Sequence, residues 1–167
     1  MQAEAAPDIN VNVATQNDLV TVDASILVPV SIEQAWAVLN DYDRMGEFIP
    51  NLQSRIISRE PLRVEQKKTS GFGPFKITFE SVWEIELTPY QLIQTRALSG
   101  DVESMHGITK LSTEGTATRI DYHLEGMPKF WVPVIGPSVI KSDVRERLQG
   151  AREEMLRRKS RSKNHDN

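Results

Sequence analysis

The chain has 167 residues, of which 39% are hydrophobic and 26% are charged, and its net charge is −3. These values are typical of one globular domain, which at this length buries about 70% of its unfolded surface without a metal or disulfide. Cysteine is absent, which excludes disulfides, thiolate nucleophiles and cysteine–metal sites. Residues 1–150 hold 14 basic and 20 acidic side chains, and this acidic balance argues against a broad nucleic-acid-binding face.

The two ends of the chain differ from its body in composition. Residues 1–17 lack a clear hydrophobic period and are predicted to be a flexible arm, with a first edge strand as the alternative. The polar start has no apolar signal-peptide region, so it is either a mature end behind a removed export signal or a cytoplasmic start with a natural Met1. We favour the first alternative, a periplasmic protein. The basic segment LRRKSRSK is predicted to be a helix end whose cations complement the helix dipole, with contact to anionic lipid or RNA as the alternative. Residues 160–167 are predicted to be a disordered basic tail.

The first regular elements are predicted from residue 19 onward. Leu19 to Val28 alternates as a strand, and Ser31 with Gln34 forms the capping box that starts a short helix. The apolar face of that helix has helical spacing and comprises Ile32, Ala35, Trp36 and Leu39. A second short helix follows and ends at Pro50.

Six strands are predicted between residues 52 and 126, separated by turn-like segments such as GFGP and EGTA. The clearest alternation is in FKITFESVWEIEL, whose apolar set predicts a sheet with one buried and one wet face. After them, Pro137 starts an amphipathic helix of roughly 20 residues. Gly150 lies inside that helix, and we expect it to mark a close approach to the sheet.

This order of elements predicts an α+β fold in which a curved antiparallel sheet of about seven strands wraps around one long C-terminal helix. Two short helices follow the first strand. A curved sheet around a single helix leaves a cavity between the two layers, and such a cavity is a natural site for an apolar small molecule.

Three segments resemble the START-like (SRPBCC) helix-grip superfamily, and within it the bacterial polyketide cyclase and coenzyme Q-binding protein-like subgroup. The first segment carries Asp41, Tyr42, Phe48 and Pro50, the second is TPYQLIQTRALSGDVESMHGITKL, and the third is FWVPVIGPSVIKSDV. The resemblance extends from about residue 20 to residue 158. It implies a single ligand-binding domain over residues 18–159.

The resemblance also implies which residues of the later strands face the cavity. The inward set comprises Ile93, Thr95, Ala97, Met105, Gly107, Thr109, Leu111, Thr118, Ile120, Tyr122 and Leu124. Members of the superfamily often have an aromatic residue at the position of Thr109. The smaller threonine implies extra room or a hydroxyl that meets a polar group of the ligand.

The chain offers few candidates for catalysis. His106 and His123 lie at outward-facing strand positions without a third metal ligand, and we expect them to be surface residues. Asp41 and Asp43 form a close acidic pair. They either act in acid–base catalysis or bond to nearby backbone groups, and we favour the second role. We therefore expect no catalytic residue, no metal and no cofactor, and we prefer Tyr122 as the residue that orients a ligand.

Two aromatic segments are predicted to lie at the mouth of the cavity. Phe72 and Phe75 flank a Gly-Pro turn, and Phe130 with Trp131 precedes the C-terminal helix in MPKFWVPVIGP. Proline keeps this second segment out of regular structure, so we expect both segments to form a lid. An exposed Trp131 also suits transient contact with a membrane.

These expectations define a set of ligand-contacting residues. The predicted set comprises Trp36, Phe48, Phe72, Phe75, Phe79, Trp83, Thr95, Met105, Thr109, Tyr122, Phe130, Trp131, Ile140 and Val144. The favoured function is binding or transport of a lipid, isoprenoid quinone or polyketide-like molecule without catalysis. The first alternative is a cyclase or aromatase-like enzyme, which needs a convergent polar pair deep in the pocket. The second alternative is a protein-interaction module. Nucleic acid is not expected as a partner, and the oligomeric state stays open.

Overall fold

The computed structural model describes residues 9–71, 73–100, 104–127 and 136–165, without the side chains of Phe75 and His165. Within these residues the fold is α+β, with one curved antiparallel sheet of eight strands and a long C-terminal helix, which confirms the predicted class. The strands are β1 (Asn10–Gln16), β2 (Leu19–Val28), β3 (Leu52–Arg59), β4 (Leu62–Ser70), β5 (Ile77–Thr88), β6 (Leu92–Gly100), β7 (His106–Glu114) and β8 (Ala117–Gly126). The helices are α1 (Ile32–Leu39), α2 (Met45–Phe48) and α3 (Gly136–His165), with 3-10 turns at Tyr42–Arg44 and Gly73–Phe75.

The strands follow the order β1-β2-β8-β7-β6-β5-β4-β3, and every neighbouring pair is antiparallel. Strands β3 to β8 form a simple meander, and β2 returns to pair with β8. The two short helices lie in the connection between β2 and β3. Helix α3 packs its buried residues Val144, Leu148, Ala151 and Met155 against the inner face of the sheet.

The eighth strand is β1, whose residues we expected to form a flexible arm, with a first edge strand as the alternative. Strand β1 pairs with β2 from Asn10 opposite Ser25 to Gln16 opposite Leu19. Ile9 and Val11 are buried in the main core, and Val13 packs against it. Burial of these three alternating apolar side chains stabilises the strand although polar residues lie between them. Residues 10–16 therefore belong to the sheet.

Helix α1 begins as its sequence predicts. The Ser31 hydroxyl accepts the backbone N–H of Gln34 at 3.2 Å, and the Gln34 side chain accepts the N–H of Ser31 at 2.9 Å. This reciprocal pair satisfies two backbone donors that the helix itself cannot satisfy. Ala35 and Val38 are the buried residues of the helix.

Helix α3 is 30 residues long and therefore exceeds the predicted length of roughly 20 residues. Residues 160–165 continue the helix, whereas we expected them to belong to a disordered tail. Arg158 fixes the later turns by pairing with Asp41 at 2.6 Å, and Lys159 donates to the carbonyl of Pro29. A Cβ at Gly150 would lie only 2.3 Å from the carbonyl oxygen of Phe48. The close approach at this glycine is therefore to α2 and not to the sheet.

Candidate functional site

A cavity of about 230 Å³ lies between the sheet and helix α3. Its walls come from the inward residues of β4 to β8, from the segment that contains α1 and α2, and from one face of α3. Alternation in the strands and helical spacing in α3 direct these side chains to the same space. Most of the wall is apolar, and the polar residues include two charged residues of α3.

Nine of the fourteen predicted ligand-contacting residues line this cavity. They are Phe48, Phe79, Trp83, Thr95, Met105, Thr109, Tyr122, Ile140 and Val144. Ile93, Ile120 and Leu124 also line it, as expected for their strand positions. The structure therefore brings residues from six strands and helices, together with Met105 just before β7, around one space.

Trp36 is not among the lining residues, and its prediction as a ligand contact is corrected. Its ring lies 5.7 Å from the ring of Tyr90, and it packs at the junction of the two apolar clusters of the core. Val38 and Leu39 are the residues of α1 that line the cavity. The Trp36 side chain fills the junction of the two clusters instead of reaching the cavity.

The predicted lid lies outside the described residues. This applies to Phe72, Phe130 and Trp131, and to the side chain of Phe75. Met127 and Gly136, on either side of the second aromatic segment, are the described residues nearest to it in the chain. The lid stays a prediction.

One end of the cavity is polar, and we did not predict most of its residues. Gln66 of β4 and Asp143 and Arg147 of α3 line the cavity, and Lys68 lies behind them with only 1% of its side chain exposed. Two signals in the sequence indicate this arrangement. Gln66 and Lys68 share the inward phase of Val64 in β4, and Asp143 and Arg147 lie at i+3 and i+7 from Ile140 on the inner face of α3.

The polar end is held by a network of ion pairs. Lys68 Nζ lies 3.3 Å from Asp143 Oδ1 and 2.7 Å from Glu146 Oε2. The Ser70 hydroxyl donates to Asp143 Oδ1 at 2.8 Å, and Arg147 Nε donates to Asp143 Oδ2 at 3.0 Å. Both oxygens of this carboxylate are therefore occupied, and the network ties α3 to β4.

Arg147 extends the network along the cavity wall. Its Nη1 donates to Gln66 Oε1 at 3.0 Å, and Gln66 Nε2 donates in turn to the hydroxyl of Ser54 at 3.2 Å. These bonds fix the guanidinium in one orientation. Its Nη2 has no hydrogen-bond partner within the described part of the chain.

The electrostatic environment shifts the pKa of Asp143 downward. Burial on its own would raise the pKa of this carboxyl, but Arg147 and Lys68, together with the hydrogen bond from Ser70, outweigh burial. Asp143 is therefore a paired carboxylate at neutral pH and a poor proton acceptor.

Tyr122 stands in the same part of the cavity. Burial raises the pKa of Tyr122 to about 12, and the smaller effects of Arg147 and Asp143 oppose each other. Its hydroxyl makes no hydrogen bond to any residue that the structure describes. A neutral phenol thus faces the cavity, close to the guanidinium of Arg147.

His106 and His123 lie on the outer face of the sheet. His106 Nε2 lies 2.8 Å from Glu125 Oε1, and His123 Nδ1 lies 2.7 Å from Asp23 Oδ1. The hydrogen bond with Asp23, and further that with Glu125, raises the pKa of His123 despite partial burial. Among the described residues no three His, Asp or Glu side chains form a metal-binding group.

The acidic pair Asp41 and Asp43 has contacts away from the cavity. Asp43 accepts the backbone N–H of Ile56 in β3 at 2.7 Å, and Asp41 pairs with Arg158 of α3. Each carboxylate therefore joins the helical segment to another element. The backbone contact of Asp43 is to a neighbouring strand, 13 residues away along the chain.

A sheet that curves around one long helix, with a mainly apolar cavity between them, is the architecture of START-like helix-grip proteins. The model of the polyketide cyclase / dehydrase and lipid transport family matches residues 28–151, so the chain belongs to this family. No curated protein matches the sequence significantly.

Solved structures share the fold at low sequence identity. The Zhui aromatase/cyclase from Streptomyces sp. R1128 is 17% identical with a TM-score of 0.68, over 84% of this chain and 95% of that one. The STAR-related lipid transfer protein from Xanthomonas axonopodis is 12% identical with a TM-score of 0.69, over 92% and 97%. A START superfamily protein from Mycobacterium smegmatis is 12% identical with a TM-score of 0.68, over 82% and 97%.

Family and fold support hydrophobic-ligand binding or a polyketide cyclase-like role. None of the described helices has the length and apolar character needed to cross a membrane.

Proposed function

We propose that the protein binds a compact hydrophobic small molecule in the cavity between the sheet and α3, and that it carries this molecule without transforming it. The observation that supports this proposal is the cavity itself, whose wall is mostly apolar and is built by five strands and the helices. A volume of about 230 Å³ lies just below the usual ligand-site range of about 300–1,000 Å³. It therefore suits a small ring system, or one end of a larger lipid, quinone or polyketide-like molecule.

The protonation states at the polar end favour a carrier over a cyclase. A general acid or base works best when its pKa lies near the working pH. The pKa of Asp143 is lowered by its cations, and burial raises the pKa of Tyr122 to about 12, so both groups move away from neutrality. Neither histidine with a described side chain lines the cavity.

The cyclase-like alternative is supported by one observation. Arg147 and Tyr122 both line the cavity and interact electrostatically, so together they could polarise a ketone by positioning alone. Incubation of the protein with a poly-β-ketone thioester analogue distinguishes the two functions. Recovery of unchanged analogue in complex with the protein supports the carrier, and a cyclised product supports the enzyme.

Occupancy of the cavity is tested with the neutral fluorescent probe N-phenyl-1-naphthylamine. Thr109→Phe places a ring in the cavity, whereas Ser112→Phe places the same ring on the exposed face of the same strand. We expect wild type and Ser112→Phe to bind the probe and Thr109→Phe to lose at least about tenfold in affinity, because the ring occupies the volume of the probe. Native mass spectrometry of gently purified protein should show the same order of ligand occupancy. Equal binding by both variants would place the probe elsewhere and contradict the proposal.

A further inference from the structure

The four charged side chains at the polar end of the cavity balance one another. Lys68 and Arg147 supply two positive charges, and Asp143 and Glu146 supply two negative charges. Lys68 is almost completely buried and Asp143 is 19% exposed, so water screens the inner pairs weakly. An anionic ligand group would be an additional buried negative charge without a cation of its own, which is strongly unfavourable.

The carboxylate and amide oxygens that this cluster presents to the cavity are occupied, whereas several donors are free. Asp143 accepts from Lys68, Ser70 and Arg147, and the Gln66 carbonyl oxygen accepts from Arg147. A guanidinium has five N–H donors, and the two bonds above use only two of those of Arg147.

The hydroxyl of Tyr122 adds a second kind of free donor. It lacks a hydrogen-bond partner among the described residues and stays protonated at neutral pH. The free guanidinium and phenol donors, the occupied carboxylate and amide oxygens and the absence of net charge together fit a neutral oxygen that only accepts hydrogen bonds. Ketones, quinones and esters carry such an oxygen.

We propose that the cavity selects a compact apolar ligand with a neutral carbonyl oxygen, which receives hydrogen bonds from Arg147 and Tyr122, and that it discriminates against carboxylates. This inference rests on the proposed function, since it names the ligand class of the same cavity. The apolar walls hold the carbon skeleton, and the donors fix its orientation.

Three naphthalenes of nearly equal shape test the inference by displacement of N-phenyl-1-naphthylamine from the full-length protein at pH 7. They are 2-acetylnaphthalene, 2-isopropylnaphthalene and 2-naphthoate. We expect the ketone to compete about tenfold more tightly than the hydrocarbon, because it satisfies buried donors, and naphthoate to be the weakest. Naphthoate binding as tightly as the ketone, or equal competition by all three, would overturn the inference.

Two variants assign the preference to residues. Tyr122→Phe should reduce the advantage of the ketone over the hydrocarbon several-fold, because it removes one donor to the ketone and keeps the aromatic ring. Asp143→Asn gives the four-residue cluster a net charge of +1, so it should strengthen naphthoate binding relative to the ketone. An undiminished advantage of the ketone over the hydrocarbon in Tyr122→Phe would contradict the role of the hydroxyl even if Asp143→Asn does not fold.

The same experiment separates this inference from the proposed function. If wild type does not bind N-phenyl-1-naphthylamine, both are wrong. If the probe binds and Thr109→Phe weakens it, but the three naphthalenes compete equally, the cavity binds apolar ligands and only the carbonyl preference is wrong.

Discussion

Clusters of ion-pairing side chains lie on both faces of the sheet, in opposite environments. On the inner face, Lys68, Asp143 and Arg147 are largely removed from water, with 1%, 19% and 29% of their side chains exposed. On the outer face, His123 and Asp23 pair at 2.7 Å with 37% and 62% exposed. The distances are alike, so the difference between the clusters is one of solvent access.

Solvent access determines what each cluster contributes. A buried ion pair gains little over an apolar pair of equal shape, but it costs several kcal/mol to remove only one partner. An exposed pair contributes at most about 1 kcal/mol because water and salt screen it. The inner cluster therefore fixes the position of α3 against β4 and the polarity of the cavity, whereas the outer cluster can change with little effect on the fold.

The largest expected effect comes from Lys68→Met, which removes a buried cation and retains most of the apolar stem. We expect a loss of about 3 kcal/mol in the free energy of unfolding, because Asp143 and Glu146 lose a shared partner. The value lies at the low end for buried pairs because Arg147 stays bonded to Asp143. Urea unfolding followed by tryptophan fluorescence measures it.

The adjacent lysine is the matched control. Lys67 points to the outer face and pairs with Glu80 at 3.3 Å, with 52% of its side chain exposed. Lys67→Met should change the free energy of unfolding by less than about 0.5 kcal/mol. Similar losses in the two variants would contradict the comparison between the two faces.

The second prediction concerns the acid side of the pH profile. The pKa of Asp143 is lower in the folded chain than its ordinary value of 3.8, so its contribution to stability is present above that pH and is lost as the pH falls through the folded pKa. Asp143→Asn should cost about 2 kcal/mol at pH 7 because a charged hydrogen-bond acceptor is removed. The difference from wild type should shrink below about pH 4.

Asp121→Asn is the control for that measurement. Asp121 pairs with Arg119 at 3.2 Å on the outer face, and both side chains are more than 40% exposed. The same substitution there should leave the urea midpoint nearly unchanged from pH 3 to pH 7. If the loss of stability in Asp143→Asn were as large at pH 3 as at pH 7, the charge of Asp143 would not be the cause of that loss.

The sequence predicts the apolar half of the cavity well and its polar half poorly. Residues such as Phe79, Trp83 and Ile140 lie in clear strand or helix periods, and the family pattern assigns the phase of β6 to β8. Lys68 and Asp143 also follow these periods. A charged residue at an inward position is nevertheless interpreted as an exception to the apolar pattern until its partner is known. Glu146, the second carboxylate that pairs with Lys68, is 78 residues away from it in the sequence.

The ends of the chain were difficult to predict for a different reason. Strand β1 has only the alternating set Ile9, Val11 and Val13 among polar residues, and its strand character depends on pairing with β2. The last turns of α3 contain basic residues that resemble a frayed tail. Arg158 and Lys159 bond to Asp41 and to the backbone of Pro29, and these partners are more than 100 residues away in sequence.

The smallest expected effect is at His123, on the outer face. Its hydrogen bond with Asp23 raises its pKa in the folded chain above the ordinary value of 6.5. A raised pKa means that the stabilising effect is fully present below pH 6.5 and disappears as the pH rises through the folded pKa. His123→Gln should therefore lower the free energy of unfolding by less than about 0.5 kcal/mol at pH 5.5, and by less still at pH 9.

The contribution of His123 to stability falls as the pH rises, whereas that of Asp143 falls as the pH is lowered. The two faces of the sheet are therefore distinguishable by pH alone. Urea midpoints of wild type and His123→Gln at pH 5.5, 7 and 9 measure the contribution of His123. Salt at 0.5 M should reduce the difference between the two midpoints, because the pair of His123 and Asp23 is exposed. A loss of 2 kcal/mol or more at pH 5.5 would mean that the outer cluster is as important for the fold as the inner one. Solvent access would then not be what separates the two clusters.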